Sequence, residues 1–318
     1  MRVVRTVLGD LDPASLGAVD THDHLIIAGG PAVERDPDLL LDDEDEAVAE
    51  LDAFHDEGGG AVVDALPAGC GRRPLILQRA SRATGVKIIA TSGFHTDSYY
   101  AASHWARSAS HDQLVALLLH ECVAGIDAND GEPTPDREPT GVRPGLLKVA
   151  TSYWAARPQE RQWLRAVAEV HHLTALPVLT HTEHGTYALE QLALLGDAGV
   201  PAESVIVSHL DRSPDLATLL AVAEQGATIC IDGLFREKYR PLSDVVNAVE
   251  VLVTHGHADR IVLGGDIARR SLRRAAGAPG MAGVLTHLAA RFRGELGASV
   301  VDGFLTTNPA RALSFTPA

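Results

Sequence analysis

Residues 17–25 read GAVDTHDHL, in which small and β-branched side chains lead into His22-Asp23-His24 before the chain turns apolar again. Seven further stretches repeat this pattern, each a short apolar run ending in polar residues and a turn: 60–67 (GAVVDALP), 87–95 (KIIATSGFH), 145–152 (GLLKVATS), 176–183 (LPVLTHTE), 204–211 (SVIVSHLD), 228–234 (TICIDGL) and 260–266 (RIVLGGD). Runs this apolar describe strands buried on both faces, as in a parallel sheet. Between them, residues 74–84, 111–125, 158–172, 185–198, 213–225 and 242–255 carry apolar residues at helical spacing, several opening on Pro or Ser and closing near Gly. Strands alternating with helices imply an α/β fold, and eight strands close a (β/α)8 TIM barrel. The expectation is that barrel as a single domain over 1–318, with one more helix over 299–315 and a Pro-, Gly- and acid-rich surface loop over 127–144.

Composition narrows the function classes. No apolar run approaches the ~20 residues of a membrane span, and Asp10 and Asp12 interrupt any amino-terminal signal core, so a cytoplasmic, membrane-free protein is expected. The formal net charge of −15 speaks against nucleic acid, which needs a basic footprint. Much of the acid lies between Glu34 and Asp52, read as a solvated loop and helix face. Cys70, Cys122 and Cys230 are too scattered for a disulfide framework or a cysteine zinc module and read as core.

In barrel enzymes chemistry sits at the C-terminal strand ends. There the chain places His22 and His24 on the first strand, Lys148 on the fourth, His181 on the fifth, His209 on the sixth and Asp266 on the eighth. A lone histidine beside an apolar strand is more often a hydrogen-bonded core residue than a ligand, but this many on separate strands form a metal-ligand set. Residues two apart on a strand share a face, so His22 and His24 can reach one ion, with Asp23 turned away. Lys148 fits such a company only if neutralised, because an ammonium buried beside cations suffers both desolvation and repulsion. A neutral lysine amine can take up carbon dioxide to give N6-carboxylysine, an anion whose two oxygens can bridge two metals; the alternative is a lysine snorkelling to solvent.

With those residues placed, the chain resembles the phosphotriesterase family of the amidohydrolase superfamily over nearly its whole length. The likeness lies in TVLGDLDPASLGAVDTHDHL (6–25), GLLKVATS, LPVLTHTE, VIVSHLD, VLGGD and NPARAL (308–313). It implies that His22, His24 and Asp266 bind the more buried of two divalent metals and His181 and His209 the more exposed, with carboxylated Lys148 and a hydroxide bridging them. Where the family often has HEH this chain has HDH, on the residue facing away from the metals. Zinc suits the donor set, with manganese or cobalt as alternatives. Attack by the bridging hydroxide, with Asp266 as acid–base, would make the chain a hydrolase of esters.

Substrate choice falls to the loops. Arg236, Lys238 and Arg240 follow the seventh strand, and Arg269, Arg270, Arg273 and Arg274 the eighth. These bases read equally as a solvated rim pairing with the acidic stretch or as a phosphate grip, which barrels often build from these two loops. The run GGDIARRSL (264–272) followed by GAPGM (277–281) is similar to phosphotriesterase-like lactonases that open phosphorylated sugar lactones. By that resemblance Lys238, Arg270 and Arg273 hold the substrate phosphate, in a small-molecule enzyme that can assemble as a homodimer. His95, Tyr99, Tyr100, His104 and Trp105 follow the third strand and read equally as pocket walls or as packing of the third loop. The rival readings are an organophosphate hydrolase or unphosphorylated lactonase sharing the metal centre, and a metal-free binding protein on the same fold.

Overall fold

The structure, a computed structural model, describes residues 1–130, 137–233 and 235–317. Of the loop expected over 127–144, residues 131–136 lie outside the described residues, as does Leu234 at the end of the seventh expected strand. The flanks of that loop are pinned by an isolated bridge, Asp127 with Pro139, and by Ile126 N–H donating to Val142 O.

Eight parallel strands form one sheet in sequence order: β1 (Ala18–Asp23), β2 (Gly59–Asp64), β3 (Lys87–Gly93), β4 (Leu146–Thr151), β5 (Val178–Thr182), β6 (Val205–Ser208), β7 (Thr228–Ile231) and β8 (Ile261–Leu263). Gly265 N–H and Asp266 N–H both donate to His22 O, at 3.1 and 2.8 Å, which draws the end of β8 onto β1 and closes the (β/α)8 barrel. An N-terminal hairpin, Val4–Thr6 with Gly9–Leu11, precedes β1.

The helices fall where apolar spacing put them: Pro74–Thr84, His111–Ala124, Pro158–Thr174, Ala188–Asp197, Leu216–Glu224 and Leu242–Thr254. The acidic stretch supplies another, Glu44–Asp56, whose Asp43 side chain accepts from Asp45 N–H and Glu46 N–H while acids fill the first turn, the arrangement that opposes the helix dipole. The tail departs from expectation. It forms two helices, Ala298–Leu305 and Thr307–Ala312, because Pro309 inside a continuous helix would drive its ring into the carbonyl of Leu305; the chain breaks at Thr306. Residues 275–290 (AAGAPGMAGVLTHLAA) offer no apolar stripe to read, yet end in a π-helical segment, Val284–Ala289, that runs into Ala290–Leu296. No helix among the described residues is long and apolar enough to cross a membrane.

Two apolar clusters hold the barrel. Val19, Ala61, Val63, Ile89, Leu146, Leu179, Ile206, Cys230 and Val262 fill its interior, plugged at the N-terminal end by Leu16 and Leu313. Outside, Leu51, Phe54, Leu77, Leu118, Trp163 and Val249 pack sheet against helices. The lower interior is therefore filled by apolar side chains, and the histidines, Lys148 and Asp266 stand above them at the strand ends. β3 and β4 meet there so tightly that a Cβ on Gly93, at φ +133°, would stand 2.0 Å from Lys148 O. Gly93→Ala is expected to cost about 3 kcal/mol of stability, through contact and a strained backbone together, read as a lower Tm and chemical-denaturation midpoint.

Candidate metal centre

The strand ends turn inward sharply. His209 (φ 69°) and Asp266 (φ 47°) adopt left-handed backbone that non-glycine residues avoid, one just beyond β6 and the other just beyond β8. Those turns aim both side chains into the barrel mouth, where His22, His24, Lys148, His181, His209 and Asp266 all line one cavity of about 300 Å³.

Their contacts define which atoms are free. His22 Nδ1 lies 2.9 Å from Asp232 Oδ2 and 2.9 Å from Ser208 Oγ, which leaves Nε2 facing Lys148 Nζ at 3.4 Å. His209 Nδ1 lies 2.7 Å from Asp232 Oδ1, and its ring centroid is 4.8 Å from that of His22 and 4.6 Å from that of His181. His181 Nε2 lies 3.0 Å from Glu183 Oε2. His24 Nε2 is 3.5 Å from Asp266 Oδ1, while its buried Nδ1 has no partner among the described residues. One donor atom each from His22, His24 and Asp266 lie within 4.8 Å of one another, close enough to share an ion.

Burial sets the electrostatics. Lys148 is 1% exposed, so it does not snorkel; desolvation brings its ammonium down to about 8, against the pull of Asp266 and Asp232. Desolvation likewise lowers His22 to about 4 and depresses His181 and His209, so these three imidazoles are neutral, the form that ligates. Asp266 is held well below the usual carboxylate range despite its burial by Arg236 and Arg212, whose Nη2 atoms donate to Oδ2 at 2.8 and 2.5 Å.

Of the residues expected to grip a phosphate, Lys238 lines the cavity and makes no ion pair among the described residues, its Nζ standing 4.8 Å over the Tyr239 ring. Arg270 does not line it; its exposed guanidinium lies 3.6 Å from Asp42. Arg273 does not either: 1% exposed, it donates from Nη2 to His24 O and Leu25 O, clamping the exit of β1. Arg269 reaches the cavity in their place while pairing with Asp36 at 2.7 Å and Asp38 at 3.4 Å. The basic loops thus divide between rim pairing with the acidic stretch and the cavity wall. His95 and Tyr99 line the cavity with rings stacked 3.4 Å apart; Tyr100, whose hydroxyl donates to Ala68 O, and Trp105, packed on Phe94, lie behind.

Asp232, Arg212 and Glu183 complete the site beyond the residues expected from sequence, while Arg236, one of the bases read as rim or phosphate grip, holds Asp266 instead. Asp232 carried the same signal as the others, a lone acid ending the apolar run TICID. Arg212 follows His209 in SHLDR, where a surface arginine is the ordinary reading; only the fold buries it.

Comparison with known proteins agrees with this geometry. The model of the phosphotriesterase family matches residues 2–313. A phospho-furanose lactonase of Mycoplasmopsis synoviae (strain 53) is 31% identical over 99% of this chain and 92% of its own. An N-acetyltaurine hydrolase of Rattus norvegicus is 30% identical over 98% of both. The crystal structure of a lactonase from Listeria monocytogenes superposes with a TM-score of 0.91 at 32% identity, covering 99% of each chain. A barrel with histidines, a buried lysine and an aspartate at these strand ends, matched along its whole length, places the chain in the phosphotriesterase family.

Proposed function

We propose that the protein is a binuclear metal-dependent hydrolase that opens the lactone ring of a phosphorylated furanose lactone. The observation that carries the reading is the convergence of four histidines, one buried lysine and one ionised aspartate on a single cavity that Lys238 and Arg269 also line. The donors fit metal: His22 and His209 each keep one nitrogen clear of its carboxylate partner, and His24 Nδ1 is buried with none. His22, His24 and Asp266 would hold one ion, His181 and His209 the other, and Lys148 as N6-carboxylysine would join them. Zinc is the proposed metal, from the imidazole and carboxylate donors. Bound there, two divalent cations lower the pKa of water toward ~7 and polarise a carbonyl oxygen.

The chain's own groups do the rest. Water adds to the lactone carbonyl, the bond from that carbon to the ring oxygen breaks, and the water proton ends on the ring oxygen. Asp266 is the group to carry it: its carboxylate stays ionised, and Arg212 and Arg236, which have no acceptor, fix Oδ2 without taking the proton onward. Lactone opening suits this arrangement, since the leaving oxygen remains tethered in the same product. Lys238 and Arg269 would meet the 5-phosphate, Arg269 exchanging its carboxylate partners for it, by charge-assisted hydrogen bonds.

Assay of furanose lactone 5-phosphates beside their dephosphorylated forms tests the reading, with N-acetyltaurine and a phosphotriester as competing substrates. Preference for the phosphorylated lactone is the expected result, and equal turnover with and without phosphate removes the phosphate grip. Lys238→Ala should raise KM for the phosphorylated lactone by ~10–100-fold, the worth of one charge-assisted bond, and leave the dephosphorylated one unchanged.

A further inference from the structure

Asp232 is wholly buried and touches one histidine from each expected ligand set, Oδ2 against His22 Nδ1 and Oδ1 against His209 Nδ1. A neutral imidazole carries a single N–H, and a carboxylate accepts only, so this pairing puts the proton of both rings on Nδ1 and the lone pair on Nε2. The other two histidines are served differently. Of the four, Glu183 meets only His181, its other oxygen lying 3.5 Å from His184 outside the set, and the Nδ1 of His24 has no partner among the described residues. Asp232 is itself held in place from the next residue, Gly233, whose N–H donates to Asp211 Oδ2 at 2.7 Å and whose missing Cβ would stand 2.5 Å from that oxygen.

We propose that Asp232 is a shared positioning residue, fixing tautomer and ring plane for one ligand of each ion so that both metal positions depend on a single carboxylate. The inference rests on the binuclear reading above. Its consequence is an asymmetry. Loss of Glu183 weakens the ion that His181 helps hold, whereas loss of Asp232 weakens both. Removal of such an outer carboxylate costs ~10–100-fold in metal affinity.

The test is metal titration of chelator-stripped protein with Zn²⁺ in competition with a chromophoric chelator. The parent chain is expected to take up two ions, Asp232→Asn to bind both ~10–100-fold more weakly, and Glu183→Gln to weaken one. Asp232→Asn retaining the parent affinity at either position overturns the proposal. A parent chain that takes up fewer than two ions overturns the binuclear reading itself, a separate outcome. Because a buried acid is replaced, thermal melts of the stripped proteins accompany the titration, and nitrogen-15 correlation spectra of the unsubstituted, metal-free protein test the tautomers with no variant at all. Nδ1–H on both His22 and His209 is expected there; Nε2–H on either overturns the assignment.

Discussion

Lys148→Ala is expected to lower kcat/KM for the lactone by ~10³-fold or more, at least about 4 kcal/mol of transition-state stabilisation. The size follows from placement. Lys148 lies inside the barrel at 1% exposure, with Nζ 3.4 Å from His22 Nε2, where a charged ammonium and divalent cations cannot coexist. Carboxylation, as proposed above, would resolve the conflict by turning the cation into an anion. That step requires the free amine, and desolvation brings the ammonium down to about 8 from an ordinary value of 10.5. The amine fraction rises as pH climbs through about 8, so activity regained by stripped protein on adding metal should recover faster with pH across that range. Bicarbonate should speed it further, and mass spectrometry of the intact holoenzyme should show one added carbon dioxide. Recovery indifferent to both pH and bicarbonate would mean that Lys148 acts unmodified.

Much of the fold was legible in the sequence. The eight apolar runs and their polar ends are a one-dimensional image of the barrel, because parallel strands buried on both faces leave little choice of side chain and the chemistry gathers at one end of each strand. That His22, His24, Lys148, His181, His209 and Asp266 gather at one cavity was readable for that reason. What escaped depends on how loops fold back. Arg270 and Arg273 sit three apart in one basic run, yet one pairs with Asp42 at the rim and the other is buried against the β1 exit. Nothing in the run RRSLRR says which guanidinium turns inward, since loop path rather than periodicity decides. Arg212 was hidden for the same reason, and Pro309 divided the last helix where apolar spacing alone would have continued it.

Asp266→Asn is expected to match or exceed the loss from Lys148→Ala, and to do so mainly in kcat, because the proposed roles of this residue combine tasks that an amide cannot perform. As an acceptor of the water proton the amide fails outright, and as a ligand beside His22 and His24 it is neutral where a cation calls for charge. A fall of ~10³–10⁴-fold in kcat with a smaller change in KM is the anticipated signature of an interaction made in the transition state. The pH profile adds a sign. Arg236 and Arg212 hold Asp266 well below the usual carboxylate range against its burial, so the base form persists through neutral and mildly acid pH and is lost only as pH falls through that lowered value. An acidic limb of kcat/KM near neutrality must therefore belong to another group. Stability should move as well: Arg212 and Arg236, 8% and 11% exposed at their side chains, would lose their shared anion, and an uncompensated buried charge costs about 3–5 kcal/mol. Metal-free Asp266→Asn should thus melt well below the metal-free parent. If it melts with the parent and keeps kcat while only KM rises, Asp266 is a substrate contact, and the proton must travel by a route other than the carboxylate that both arginines hold.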